Sequence, residues 1–364
     1  GWTIIPWTPD LALTTLHATA VAEYPTANGP SDYALFVDGQ LLGMVEAKKL
    51  TLGPQNVLTQ AERYSRGAAA PLDFHGFHVP FLYSTNGEVI WFHDVRHERS
   101  RSRRIADFHT PAALRELLAH DVENAASALA GLSKWHPRLR PYQIEACHAM
   151  ETAICDRKRQ MLVAMATGTG KTFTLVNEAY RLMKSGTARR ILFLVDRRAL
   201  AAQAVRAFAA YEPEPGLKFD QIYEVYSQRF HREDFDEDEK FDPKVLPSSY
   251  LMAPNPGHAF VYVCTIQRMT INLFGRQVAF GAGDEEAEDD ADRLPIPIHA
   301  FDLVIADECH RGYSAAEISI WRDTLDHFDA VKIGLTATPA AHTKAYFRDI
   351  VYRYEYERAV REGF

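Results

Sequence analysis

Lys171 and Thr172 close the run ATGTGKT at 166–172, and two adjacent acids, Asp307 and Glu308, open DECH at 307–310. A glycine-rich turn that leads into a helix presents backbone N–H groups to phosphate oxygens, and the helix N-terminus favours their charge. Thr167, Gly168, Thr169 and Gly170 would form that cradle, Lys171 would reach the terminal phosphates, and Thr172 would hold magnesium. The strict P-loop pattern fails at its first position, where Met165 replaces glycine. Two carboxylates at the end of an apolar run supply the complement. Asp307 is placed to hold magnesium, and Glu308 to orient or deprotonate a water attacking the γ-phosphate.

A second set lies in the first part of the chain. A turn around Asp38-Gly39-Gln40 joins two strand-like runs. If it is centred on Gly39, Asp32 faces Glu46, while Asp38 stays at the tip and cannot easily join them. Glu46 and Lys48 share one face by the two-residue period of a strand. Two carboxylates beside a lysine suit metal-assisted phosphodiester cleavage, the acids as magnesium ligands and the lysine as a cation near the attacking water. The same spacing also fits a half-buried hairpin with a surface ion pair. Gln60 and Tyr64, four apart, share one face of a helix expected over 56–66.

These residues need elements to hold them. Apolar runs at 33–37, 41–45 and 88–92 predict strands of a small α/β unit. A helical stretch follows over 111–132, and two prolines, Pro137 and Pro141, then interrupt the periodicity around 134–140 and place a domain boundary near 133. Beyond it, short apolar strands at 161–166, 191–195, 261–265, 303–306 and 332–335 alternate with helical segments, which predicts a parallel sheet covered on both faces. The fold class is therefore α/β, with a small domain at 1–133 and a parallel-sheet domain at 134–364. Long irregular stretches at 212–258 and 281–298 read as functional or disordered loops.

Composition bounds the partners. The chain has 364 residues, 47% hydrophobic and 24% charged, with a formal net charge of -8. No apolar run approaches the roughly 18 to 20 residues of a membrane span, and the first residues do not read as a secretion signal. Four cysteines with no CxxC pair favour a reducing cytoplasm. With no global positive charge, nucleic acid would have to be met by local basic surfaces. The basic run at 96–104 (RHERSRSRR) and the acidic run at 284–292 (DEEAEDDAD) both read as solvated loops. His75, His78 and His93 fit no metal-ligand spacing, and the aromatic run at 346–356 reads as packing.

From about 135 onward the chain resembles the superfamily 2 helicases and translocases. LRPYQ at 139–143 resembles their glutamine element, FLVDRRALAA at 193–202 and VCTIQRM at 263–269 their nucleic-acid contacts, and TAT at 336–338 their coupling element. The resemblance implies ATP as the nucleotide and a RecA-like fold. It assigns Gln143 to the adenine, Arg197, Thr265 and Gln267 to the DNA backbone, and Thr336, Thr338 and His310 to coupling. It also implies a second RecA-like domain bearing an arginine finger; a chain ending at Phe364 would lack it, bind nucleotide and turn it over poorly.

Asp32, Glu46-Ala47-Lys48 and QAERY at 60–64 resemble the PD-D/E-x-K nuclease core with the Q-x-x-x-Y extension of type I restriction motor subunits. That implies metal held by Asp32 and Glu46, catalysis assisted by Lys48, and DNA supported by Gln60 and Tyr64. An acidic residue on an earlier helix is expected to be missing from a chain that starts at Gly1. The expected setting is a prokaryotic cytoplasm, with double-stranded DNA, a modification (methyltransferase) subunit and a specificity subunit as partners, and no membrane. A type III restriction subunit, which generally carries its nuclease after the motor, and a helicase or remodelling ATPase whose first domain binds DNA without cutting are the alternatives.

Overall fold

The computed structural model describes residues 1–48, 58–230, 243–279, 291–309 and 315–363. They fall into two units, Gly1–Asp121 and Val122–Phe364. The division lies inside the stretch 111–132, where the expected single helix is two, Pro111–Ala119 and Val122–Ala130, separated at His120-Asp121. The second of these packs on the helices Pro141–Cys155 and Lys171–Lys184 and so belongs with the later unit.

The first unit is built on a seven-stranded sheet whose strands lie in chain order: β1 (Thr3–Pro6), β2 (Ala18–Thr26), β3 (Gly29–Val37), β4 (Gln40–Ala47), β5 (Phe81–Thr85), β6 (Ile90–Asp94) and β7 (Arg103–Ile105). β1 runs parallel to β2 and β4 to β5, and the other neighbours are antiparallel. The helix Leu58–Gly67 buries Leu58, Ala61 and Tyr64 in one core with Val21, Ala34, Met44 and Leu82. Tyr83 and Phe92, whose side chains alternate with these along β5 and β6, cluster with His109.

The second unit holds a seven-stranded, wholly parallel sheet in the order β10-β11-β9-β12-β13-β8-β14. Its strands are β8 (Gln160–Met165), β9 (Arg190–Val195), β10 (Glu224–Ser227), β11 (Phe260–Thr265), β12 (Leu303–Asp307), β13 (Val331–Thr336) and β14 (Ile350–Tyr354). β9, β11 and β12 are buried at every position, as expected of strands covered on both faces. One face packs on the helices Pro141–Cys155, Lys171–Lys184 and Arg198–Ala210. The other packs on Ile266–Phe274, Ala315–His327 and Ala341–Phe347. The aromatic run at 346–356 supplies β14, and the fully buried Tyr354 ring stacks on Tyr142 at 4.0 Å. The stretch read as one loop over 212–258 contains β10 and two short helices, Phe219–Ile222 and Ser248–Met252. Among the described residues no helix is long and apolar enough to cross a membrane.

Candidate functional site

In the second unit the strand order brings the candidate nucleotide residues to one rim. β13 lies between β8 and β12, so the turn after β8, Asp307 at the end of β12 and Thr336 at the end of β13 share the carboxyl edge of the sheet. Gly168 (φ +81°) and Gly170 (φ +75°) take left-handed conformations, which leaves the turn closed and lets the helix start at Lys171. Gly168 needs glycine for its φ alone, since a Cβ there would meet open space. At Gly170 a Cβ would also come within 2.6 Å of Gln143 Nε2. The turn is braced by Thr169 Oγ1, which donates to Ala166 O at 2.7 Å.

Lys171 is 9% exposed, and its Nζ lies 2.6 Å from Glu308 Oε1. The two form a close ion pair without a well-aligned hydrogen bond, so the ammonium hydrogens are directionally unsatisfied. A buried cation at a helix N-terminus with unspent donors fits a phosphate. Glu308 has φ +50°, a conformation costing an L-residue roughly 1–3 kcal/mol. Its N–H donates to Asp307 Oδ1 at 2.9 Å and helps hold this turn. Burial and the neighbouring Glu308 push the Asp307 carboxyl up to about 6, with Lys171 opposing. Two carboxylates crowded at a buried rim fit a divalent cation, whose charge would offset both effects. Thr172 is half-buried, two residues beyond the cradle.

Other candidates are engaged differently from what their sequence positions imply. Both ends of the Gln143 amide are used inside the protein: Arg140 N–H donates to Oε1 at 2.9 Å, and Nε2 donates to the carbonyls of Thr169 at 3.1 Å and Gly170 at 3.2 Å. Contact with an adenine would exchange those bonds. Thr265 is 2% exposed, its hydroxyl caps the helix Ile266–Phe274 by accepting Arg268 N–H at 3.1 Å, and its own N–H donates to Gln228 Oε1 at 2.8 Å. A DNA contact from that hydroxyl would compete with the cap. Arg197 is exposed at the end of β9, with Nε 3.4 Å from Asp196 Oδ2, and Gln267 is half-buried. Thr336 is fully buried and accepts Thr338 N–H at 3.2 Å. His310 lies outside the described residues.

In the first unit Asp32, Glu46 and Lys48 come together, though by a different register device. The turn is the two-residue Asp38-Gly39, with φ +48° and +77°, the type I′ geometry that matches strand twist. Val37 therefore pairs with Gln40, and continuing that register would set Asp32 against Val45. A bulge between Leu35 and Phe36 moves the pairing by one, so that Leu35 faces Gly43, Tyr33 faces Val45, and Asp32 comes level with Glu46. Gly43 permits that approach, because a Cβ on it would sit 2.8 Å from Leu35 Cδ1. Asp38 stays apart, paired with Arg115 and, at 3.2 Å, with His17.

Asp32 Oδ2 accepts Ala47 N–H at 2.5 Å, and Lys48 Nζ is bonded to Glu46 Oε1. Glu46 is 1% exposed and its Oε2 has no hydrogen-bond partner. Burial raises its carboxyl above the usual range; Lys48 opposes this and Asp32 adds to it. An orphan carboxylate oxygen facing a second acid fits a cation bridging Asp32 and Glu46. Among the described residues, however, no group of three or more His, Cys, Asp or Glu converges as a metal cluster. Lys48 is raised by its bond to Glu46 against desolvation, and so keeps its proton. Gln60 Nε2 donates to Tyr64 OH at 2.7 Å, tying the two into one unit on the helix. A pair that the sequence reading missed, His93 Nδ1 and Glu62 Oε1 at 3.3 Å, joins β6 to the same helix. Its only sequence signal was Glu62 lying between Gln60 and Tyr64.

Residues 136–341 match the family described as "Type III restriction enzyme, res subunit" (ResIII), and residues 14–118 match the second domain of the type I restriction enzyme EcoKI endonuclease subunit. The EcoKI endonuclease subunit of Escherichia coli K12 is 31% identical over 95% of this chain, which covers 31% of that protein. The EcoAI endonuclease subunit of Escherichia coli is 28% identical over 79% of this chain and is covered over 32% of its length. The chain thus spans about a third of the curated relatives it matches. A solved structure described as a fragment of an HsdR subunit of a type I restriction enzyme from Vibrio vulnificus YJ016 aligns over 92% of this chain and 51% of its own, with 22% identity and a TM-score of 0.39. With more than half of its length inside the ResIII match, and as a homologue of type I endonuclease subunits, the chain belongs to the ResIII family of restriction-enzyme subunits.

Proposed function

We propose that the chain belongs to the restriction subunit of a type I restriction-modification system. In this reading it couples ATP hydrolysis to translocation of double-stranded DNA and cuts that DNA with magnesium. The observation that carries it is Lys171, buried at the start of its helix and drawn to within 2.6 Å of Glu308. When nucleotide enters, Lys171 exchanges Glu308 for phosphate oxygens, and Glu308 is released to orient a water or take its proton. Asp307 and Thr172 would hold a magnesium ion there, as Asp32 and Glu46 would in the first unit. Bound magnesium supplies positive charge to the phosphate oxygens at each site. Lys48 places its own charge beside the water attacking the phosphodiester, and the Gln60–Tyr64 pair supports the DNA. Thr336 and Thr338 couple hydrolysis to movement, and Arg197, Thr265 and Gln267 meet the DNA backbone. The partners are a modification (methyltransferase) subunit and a specificity subunit, in the cytoplasm of a prokaryote. The units Gly1–Asp121 and Val122–Phe364 carry nuclease and first RecA-like motor functions respectively.

A second reading, in which the first unit binds DNA without cutting, is favoured by one observation: among the described residues, no third His, Cys, Asp or Glu joins Asp32 and Glu46 in a metal cluster. Cleavage of circular DNA by the full-length subunit assembled with its partners separates the two. Lys48→Ala and Lys171→Ala should both abolish ATP-dependent cutting, and only Lys171→Ala should abolish ATP hydrolysis. Cutting retained by Lys48→Ala would refute the nuclease assignment.

A further inference from the structure

The pairing of four strands places side chains from distant parts of the first unit in one row. Glu46 on β4 pairs with Ser84 on β5, Ser84 pairs with Trp91 on β6, and Trp91 pairs with Arg104 on β7. Asp32 comes level with Glu46 on β3, one step beyond the Tyr33–Val45 pair. In-register residues on neighbouring strands point to the same face, so these five side chains share it. Independent contacts agree. Arg103, the alternate residue on β7, turns the other way and covers the Phe92 ring at 4.7 Å. His93, two residues from Trp91 and on its face, reaches Glu62 of the helix Leu58–Gly67.

Burial changes in order along the row. Glu46 and Ser84 are buried, Trp91 is half-buried, and Arg104 is exposed. The row thus begins at an acid pair with an orphan carboxylate oxygen and ends at an arginine in solvent. Strands lie about 4.8 Å apart, so three steps separate Glu46 from Arg104 by about 14 Å. The basic run at 96–104, which reads as a solvated loop in the sequence, therefore sends one arginine into the row. Others are used locally, such as Arg96 in its pair with Asp94 at 2.8 Å.

We infer that this row is a track for a single DNA strand, in which Arg104 grips a backbone phosphate about 14 Å from the phosphodiester held at Asp32, Glu46 and Lys48. The ligand class is a nucleic-acid phosphodiester, and Trp91 is the flat surface the strand crosses between the two grips. Guanidinium geometry suits bidentate contact with phosphate. In a chain of net charge -8, one exposed arginine on that face is a local attractor of the kind nucleic acid needs. The inference rests on the nuclease reading for the other end of the track, but the grip of Arg104 does not require cleavage.

The test uses the full-length chain, a short fluorescein-labelled DNA duplex, and EDTA to exclude divalent ions, with affinity read by anisotropy across salt. Each phosphate contact contributes about 0.9 to the slope of log affinity against log salt. Arg104→Ala should lower that slope by about 0.9. Between about 50 and about 200 mM salt the variant should lose about 3.5-fold less affinity than the wild type. Arg104→Lys should restore most of the slope. Arg101→Ala, an exposed arginine of the same run outside β7, should leave it unchanged. An unchanged slope in Arg104→Ala overturns the inference, and so does an equal fall in Arg101→Ala, which would mean a diffuse basic patch. Magnesium-dependent cleavage by wild type and Lys48→Ala is measured in parallel. A lowered slope without Lys48-dependent cleavage keeps the track and removes the nuclease reading; Lys48-dependent cleavage with an unchanged slope does the reverse.

Discussion

Replacing Gly170 with alanine separates the two demands placed on the last residue of the glycine-rich turn before Lys171. Its φ of +75° costs an L-residue roughly 1–2 kcal/mol. The new Cβ would also meet Gln143 Nε2 at 2.6 Å and drive that amide off the carbonyls of Thr169 and Gly170. Two hydrogen bonds of about 0.5–1.5 kcal/mol each add about 1–3 kcal/mol. Gly170→Ala should therefore destabilise the unit by about 2–5 kcal/mol and weaken binding of a fluorescent ATP analogue. In a Gln143→Ala background the clash and both bonds are already absent, so the same change should cost only the backbone part, about 1–2 kcal/mol. Urea unfolding of the four proteins of this double-mutant cycle gives the coupling, expected at about 1–3 kcal/mol. If Gly170→Ala costs the same with and without Gln143, Gln143 does not brace the turn.

Two further outcomes follow from groups whose surroundings are equally explicit. Glu178, on the helix that starts at Lys171, is fully buried with no well-formed hydrogen bond at either oxygen. Burial and then Glu151 hold its carboxyl well above the ordinary range, with Arg181 opposing. The folded state keeps a proton that the unfolded chain releases near about pH 4.3, so as pH rises from there stability should fall by about 1.4 kcal/mol per unit. Glu178→Gln should remove that slope, which urea unfolding at about pH 5 and about pH 6 would show; parallel pH dependences in the two proteins would disprove it. In the first unit, Asp32→Asn should abolish magnesium-dependent DNA cleavage by the full-length chain, whereas Asp38→Asn should leave it intact, because Asp38 is committed to Arg115 and His17. Equal losses in the two variants would mean that the register does not select Asp32.

Legibility in the sequence followed how local each constraint was. The geometry of the glycine-rich turn could be read because its requirements sit in consecutive residues: glycines at 168 and 170 for positive φ, then a lysine at the first position of a helix. The five strands expected in the second unit were legible for a similar reason. Buried parallel strands are unbroken apolar runs, and each lies within one or two residues of its expected limits. β14 was not read as a strand because Tyr352, Arg353 and Tyr354 interrupt any simple pattern, and its role depends on pairing with β8 nearly two hundred positions earlier.

The first unit shows where local reading stops. Placing Asp32 opposite Glu46 needed the sum of a turn and a bulge, and only the turn carried a clear signal, in Asp38-Gly39. The bulge leaves a fainter mark, Gly43, whose missing side chain reads from sequence as no more than a weak spot in a strand. Gln143 and Thr265 show a related limit. Their positions along the chain resemble nucleotide- and DNA-contact elements, yet their polar atoms are occupied by the backbone of Thr169 and Gly170 and by the cap of Ile266–Phe274. Motif position specifies where a side chain sits, whereas a free donor or acceptor depends on neighbours that arrive through the fold. The row ending at Arg104 is the extreme case, since it exists only once three successive strand pairings have been fixed, none of which is encoded within β7 itself.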